Sequence, residues 1–194
     1  MEREDIVRAL LYKFFSKAFM SPKKELLVFL EEIEKDLKEL DYGKYTDINV
    51  SEVINALRNA NDEKIATEYV SLFINKYPKV PCPPHESYFR SESLYDPLVI
   101  SDLNNFYSKM GLEPKSSFGD HISNIFEYMF VLILSENIPE EEKTKTERNF
   151  FLKHIASWTK KLTECIKKNT KENYYNVLAH QLETFIKEET ERFR

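Results

Sequence analysis

The residues of this chain whose types and spacing could do chemistry fall in two places. The first is Glu68 to Arg90, EYVSLFINKYPKVPCPPHESYFR, where Cys82, His85, Glu86, Ser87 and Tyr88 stand in a stretch holding four of the eight prolines. The second is Asp120-His121 with Glu127 downstream. Pro78, Pro81, Pro83 and Pro84 each fix φ near −65° and lack an N–H, so the first stretch is an extended, semi-rigid loop. A nucleophile pair of Cys82 and His85 is conceivable there. Residues three apart in a proline-stiffened loop are nevertheless badly placed for a mutual hydrogen bond, and no oxyanion site accompanies them. Metal chemistry needs ligands at recognisable spacing, and neither HExxH nor a Glu-x-x-His pair occurs. No GxxxxGK[ST] loop exists for a nucleotide.

What remains is recognition. Tyr69, Leu72, Phe73, Tyr88 and the proline rings can form an apolar surface edged by Glu68, Glu86, Asp120 and Glu127, which suits a peptide with an apolar stretch and arginines. Two blander accounts stand beside it: Tyr69, Leu72 and Phe73 as ordinary core, and Asp120 as a helix N-cap followed by His121 in the first turn. Two further readings compete at the level of function. One is a helical metal-dependent hydrolase using Asp120, His121 and Glu127; the other is a general helical scaffold whose proline loop is only a connector. His154, between Phe151 and Ile155, reads as a residue bordering the core.

The elements that must position these groups are helical. Three glycines in 194 residues fall far below the usual ~7%, leaving too few φ > 0 positions for a series of hairpins. Val7, Leu10, Leu11, Phe14 and Ala18 mark one face of a first amphipathic helix. A second, with Pro22 in its first turn, carries Leu26, Phe29, Leu30, Ile33, Leu37 and Leu40 to a break at Asp41-Tyr42-Gly43. A short helix is expected around Val53 to Leu57, then one over Glu63 to Ile74 capped by Asp62. Asp96-Pro97 reads as an N-cap with proline at the first helical position, and Gly111 as the C′ residue that ends that helix. Glu113 to Gly119 is a loop. From Asp120 a strongly apolar helix reads as the centre of the core. Asn137 to Lys143, NIPEEEK, reads as a connection, followed by two long amphipathic helices carrying Phe151 to Cys165 and Tyr175 to Ile186. The expectation is one all-α domain over residues 1–194, a bundle of about seven to nine helices.

Composition narrows the partners. The formal charge of −5 gives no broad attraction for nucleic acid or anionic membranes and favours a basic peptide. Two cysteines, Cys82 and Cys165, make neither a disulfide framework nor a CxxC motif, which fits a reducing cytosol. The start, MEREDIVRALLYKFF, has acids where a signal peptide wants basic residues, and no apolar run approaches ~18 residues. A soluble protein without a signal of its own is expected, with no stable membrane insertion.

Four blocks resemble the TorD/DmsD/NarJ-type chaperones that assist assembly of molybdenum-containing reductases. Glu68-Tyr69-x-x-Leu72-Phe73 with Pro83-Pro84-His85-Glu86-Ser87 is similar to one family block, and Asp120-His121-Ile122 with Glu127, Tyr128 and Met129 to a second. Phe151-x-x-His154 with Trp158, and Tyr175-x-x-Leu178-Ala179, resemble two more. His85 stands where the family usually has an aromatic ring, and Gly119 where it has a proline. The resemblance implies a TorD-like all-helical cytoplasmic chaperone with no catalytic activity and no cofactor of its own. It would bind the twin-arginine signal peptide or N-terminal region of the apo catalytic subunit of a molybdopterin-dependent reductase, proofread its export and hold it open for cofactor insertion. The implied peptide-binding positions are Tyr69, Leu72, Phe73, Pro84, His85, Asp120 and His121, to which the chemistry above adds Glu86, Ser87, Tyr88 and Glu127. A homodimer formed by helix swapping, with NIPEEEK as hinge, is a further implication.

Overall fold

The computed structural model describes all residues except Met1, Lys23, Gly43, Lys44 and 115–118. The expected break at Gly43 and the middle of the Glu113 to Gly119 loop lie outside the described residues. The chain runs α1 (Arg3–Ala18), α2 (Lys24–Leu40), α3 (Val50–Arg58), α4 (Asp62–Tyr69), a π-helical turn Val70–Ile74, then the proline loop. It continues with α5 (Glu86–Ser91), α6 (Pro97–Lys109), α7 (Ile122–Leu134), α8 (Glu140–Phe150), a second π-helical turn Phe151–Ile155, α9 (Thr159–Asn169) and α10 (Asn173–Arg192). Nine of these α-helices have eight residues or more, α5 being a six-residue turn of helix, and no strand occurs among the described residues. The all-α expectation holds.

Several local signals land where the sequence puts them. Asp96 accepts from Leu98 N–H at 3.0 Å with Pro97 at the start of α6, and Gly111 takes φ +66° just after that helix. Others shift. The α4 cap is Asn61, whose side chain accepts from Lys64 N–H, so Asp62 is the first helical residue instead. Pro22 precedes α2, which begins at Lys24. The NIPEEEK connection is shorter than expected, because Glu140, Glu141 and Glu142 form the first turn of α8, where carboxylates favour the positive end of the helix.

Helix α1 packs most extensively on α7, with α2 alongside, and α10 lies against α9 and α3. Phe15 stacks on Phe185 at 5.3 Å between ring centroids, and Tyr12 meets Phe185 edge-on at 4.8 Å, so α1 also reaches α10. This makes α1 more central than its amphipathic pattern implies. Arg8, Tyr12, Phe15 and Ser16 are all buried, on what reads as its polar side. For the polar three burial is tolerated because they find partners, Ser16 Oγ donating to Ser123 O at 2.9 Å. Arg8 Nε donates to Glu189 Oε1 at 3.0 Å and Nη2 to Glu147 Oε2 at 3.0 Å. Tyr12 and Tyr45 hydroxyls donate to the same Glu189 carboxylate at 2.9 and 2.6 Å.

The cysteines require a correction. Cys82 and Cys165 form a disulfide, 83 residues apart in sequence, that ties the proline loop to α9. Local spacing cannot reveal such a pair, since it is the fold that brings the two together. The Cys165 position on a helical stripe is the only trace it leaves.

The Arg8 cluster yields a stability prediction. Glu189→Ala leaves Arg8 buried with only part of its charge answered, and such losses cost about 3–5 kcal/mol. Urea denaturation of the variant should show a drop of that order with an unchanged slope.

Candidate functional site

The site is built on a crossing of two segments far apart in sequence. Ile122 N–H donates to Pro84 O at 2.9 Å and Glu86 N–H donates to Asp120 O at 3.0 Å, an isolated antiparallel bridge centred on His85 and His121. Proline suits this crossing because the Pro84 carbonyl is the group needed there and its missing N–H is not.

Asp120 then caps a helix to which it does not belong. Its carboxylate, fully buried, accepts from Ser87 N–H in the first turn of α5 at 3.0 Å and faces His85 Nδ1 at 3.0 Å. Burial pushes the Asp120 carboxyl up, but the hydrogen bonds from His85 and Ser87 outweigh it and hold the group below the usual range. The cap of α7 itself is His121, whose Nδ1 accepts from Ser123 N–H at 3.1 Å. The expected order is therefore displaced by one residue: Asp120 is drawn off to α5 and His121 caps α7. Burial, with His85 nearby, pushes His121 down to about 4. The two histidine rings meet edge-on at 5.1 Å.

Beside His121 opens a cavity of about 590 Å³. Met20, Tyr69, Leu112, Tyr128 and Val131 give it an apolar and aromatic lining, while Lys17, Glu113, His121 and Glu127 supply polarity. Glu127 is not an open acidic lip, since it pairs with Lys13 and lies 3.5 Å from Lys17. Burial pushes its carboxyl up, and the two lysines with Ser16 bring it below the usual range.

Of the eleven sequence-predicted site residues, Tyr69, His121 and Glu127 line this cavity. Leu72 and Phe73 are core, with Phe73 packed on Phe19, Tyr69 and Tyr175. Pro84, Ser87 and Asp120 are buried in the crossing and His85 is half-buried at its edge. Glu86 points the other way: it is buried, takes Arg90 Nη1 at 2.6 Å, and meets His154 Nδ1 at 3.0 Å. Tyr88 lines a separate cavity of about 480 Å³ with Lys79, Lys161 and Lys168. Glu68 is also away from the cavity, accepting from Thr170 and from Lys171 N–H.

The metal-hydrolase reading places Asp120, His121 and Glu127 around one ion, but here Asp120 faces His85 and Ser87 while Glu127 faces lysines. Among the described residues no group of three or more His, Cys, Asp or Glu side chains is arranged to hold a metal.

Sequence reasoning missed Leu112, Val131, Tyr128 and Met20 as lining residues. A signal was present for part of this set: His121, Asn124, Tyr128 and Val131 recur at three, four and three, one face of α7, and all four line the cavity. It also missed His154 as a junction. That ring is fully buried with Nδ1 against Glu86 and Nε2 2.8 Å from Asp102 Oδ2, joining α5, α6 and the second π-helical turn.

The nitrate reductase delta subunit family model matches residues 31–164, more than half of the chain. The chain belongs to this family. This is the family of NarJ/TorD-type chaperones. A crystal structure of a protein from Archaeoglobus fulgidus described as a redox enzyme maturation protein shares the fold, with a TM-score of 0.63 and 24% identity over 94% of this chain and 93% of that one. No curated protein matches the chain in sequence. Among the described residues of this family member, no helix is long and apolar enough to cross a membrane.

The His121 environment gives a pH prediction. Its folded value, about 4, lies below the ordinary ~6.5 of an unfolded histidine, so between those values the unfolded chain binds the extra proton. Its contribution is therefore fully present above pH ~6.5 and is lost as pH falls toward ~4, by up to about 3 kcal/mol. Asn at this position keeps the cap without titrating. His121→Asn should flatten the fall in denaturation midpoint across that window; an equally steep fall would contradict the assignment.

Proposed function

We propose that this chaperone binds the signal peptide or N-terminal region of the apo catalytic subunit of a molybdenum-containing reductase in the cavity beside His121, in the cytoplasm. Binding there delays export and keeps the subunit open until its cofactor is inserted. The reading rests on family membership and on one observation: a cavity of about 590 Å³ with a mainly apolar lining and carboxylates at Glu113 and Glu127. An extended peptide with an apolar stretch matches the lining, at ~25 cal/mol per Å² buried before ordering costs. Its arginines match the carboxylates, which contribute less, ~0.2–1 kcal/mol for each exposed pair. Glu127 already has Lys13 and Lys17, so the exposed Glu113 is the more accessible partner for an arginine. The apolar segment therefore supplies affinity and the arginines supply selectivity.

On this reading Leu72, Phe73, Pro84, Ser87 and Asp120 act by holding the cavity wall, not by touching peptide, because each is buried, while Glu86 is buried on the opposite side against His154. Tyr69, His121 and Glu127 touch it directly. His85 orients the crossing beneath them, and Tyr88 belongs to another surface.

Fluorescence anisotropy with a labelled peptide carrying two arginines and an apolar stretch tests this. Val131→Asp and Tyr69→Ala should each weaken binding about tenfold or more, as loss of a central interface side chain does. Replacing the apolar stretch by serines should weaken it more than replacing the arginines by glutamines. Unchanged affinity in Val131→Asp would remove the cavity from the proposal.

A further inference from the structure

The net charge of −5 conceals a strongly basic region. From Lys153 to Lys171 there are six lysines and one acid, Glu164. Three of the lysines around this region converge on one concavity, Lys79 from the proline loop with Lys161 and Lys168 from α9, beside Tyr88, Asn169 and the single carboxylate of Glu164. Lys79 Nζ sits 5.0 Å from the centre of the Tyr88 ring, and Lys161 Nζ donates to Phe89 O at 3.2 Å. Neither contact neutralises a charge. Among the described residues Lys79, Lys161 and Lys168 form no ion pair, and neither do the neighbouring Lys76 and Lys171. Three lysines against the one carboxylate of Glu164, with Glu92 acting on Lys79, leave an excess of positive charge that a bound anion relieves.

The same face carries exposed apolar side chains. Val70 and Ile74 project from the first π-helical turn at 47% and 57% exposure, and Tyr77 from the loop at 94%. They adjoin the lysines by several direct links. Lys76 and Lys79 flank Tyr77 in sequence, the Cys82–Cys165 disulfide fastens this loop to α9, and Glu68, just before Val70, accepts from Lys171 N–H. Tyr77 stands proud of the surface, so these residues make protruding tips and not a groove that could enclose an acidic helix. Apolar and tyrosine tips ringed by unpaired lysines are complementary to a lipid surface bearing phosphate headgroups, where tyrosine sits at the interface and lysines meet the negative potential.

We infer that this face docks the chaperone reversibly on an anionic membrane surface, with a headgroup phosphate in the Lys79–Lys161–Lys168 concavity and Tyr77 and Ile74 in the interfacial layer. The site lies apart from the cavity beside His121, and it does not depend on what that cavity binds. A chaperone held this way would hand over its client at the membrane by surface contact alone, with nothing inserted across it.

Vesicle flotation of the full chain tests it, using phosphatidylcholine alone and phosphatidylcholine with phosphatidylglycerol at low salt. The protein should float only with the anionic vesicles and be released as salt rises. Loss of each surface lysine weakens such partitioning about fivefold, so Lys79→Gln with Lys168→Gln should reduce it about 25-fold. Ile74→Ser with Tyr77→Ser should reduce it several-fold while leaving the salt dependence in place. All four residues are exposed, and matching thermal melts will show that the variants fold. No flotation with anionic vesicles, or flotation unchanged in either double variant, overturns the inference. So does release by millimolar inorganic phosphate alone at constant ionic strength, which would make the concavity a free-anion site, or capture by polyglutamate in place of vesicles.

Discussion

The buried carboxylate of Asp120 is the constraint from which the rest of this site follows. A carboxylate removed from water must find donors, and Asp120 finds them on another segment, in Ser87 N–H and His85 Nδ1. Its own carbonyl takes Glu86 N–H. The two backbone contacts supply α5 with the N-terminal partners its own His85 side chain does not provide, and all three lock the proline loop against the start of α7. With that crossing set, His121 is left to cap α7 and faces the cavity. Glu86 is directed to the opposite side, where it meets His154.

Two polar clusters thus share the interior with an aromatic core. Arg8, Glu147, Glu189, Tyr12 and Tyr45 join α1, α8, α10 and the segment before α3. Glu86, His154, Asp102, Arg90 and Lys153 join α5, α6 and the second π-helical turn. Hydrophobic burial is non-directional, whereas these pairs are satisfied in one arrangement only. Their positions fix which helix faces which.

Much of this architecture was legible in the sequence because helices encode themselves locally. The apolar stripe of α7, the Asp96-Pro97 start of α6 and the Gly111 end all depend on residues within a few positions of one another. Asn61 and Asp62 show the limit of such signals, since both are competent caps and the choice between them turns on a single hydrogen bond. Asp120 and His121 show a deeper limit. Either could cap α7, and the decision is made by Ser87, 33 residues away, which claims the carboxylate. The same reasoning explains why Cys82 and Cys165 escaped notice, why the polar side of α1 did not look buried, and why Glu86 was read as part of a rim. Of the seven positions the resemblance implies, Tyr69 and His121 line the cavity, and the others lie in the core or at the crossing beside it.

The two π-helical turns carry a consequence for chain length. Each is closed by a bond spanning five residues, Asn75 N–H to Val70 O at 2.8 Å and Ala156 N–H to Phe151 O at 2.9 Å. Since one residue turns an α-helix by about 100°, the additional residue in each turn changes the rotational phase of the side chains within it. Leu72 and Phe73 both reach the interior from the first, and Phe151, His154 and Ile155 from the second. Removing one residue from the second turn ahead of His154 would swing the side chains after the deletion by more than a quarter of a revolution, carrying His154 off its two carboxylates. At this point the number of residues is specified as strictly as their kind.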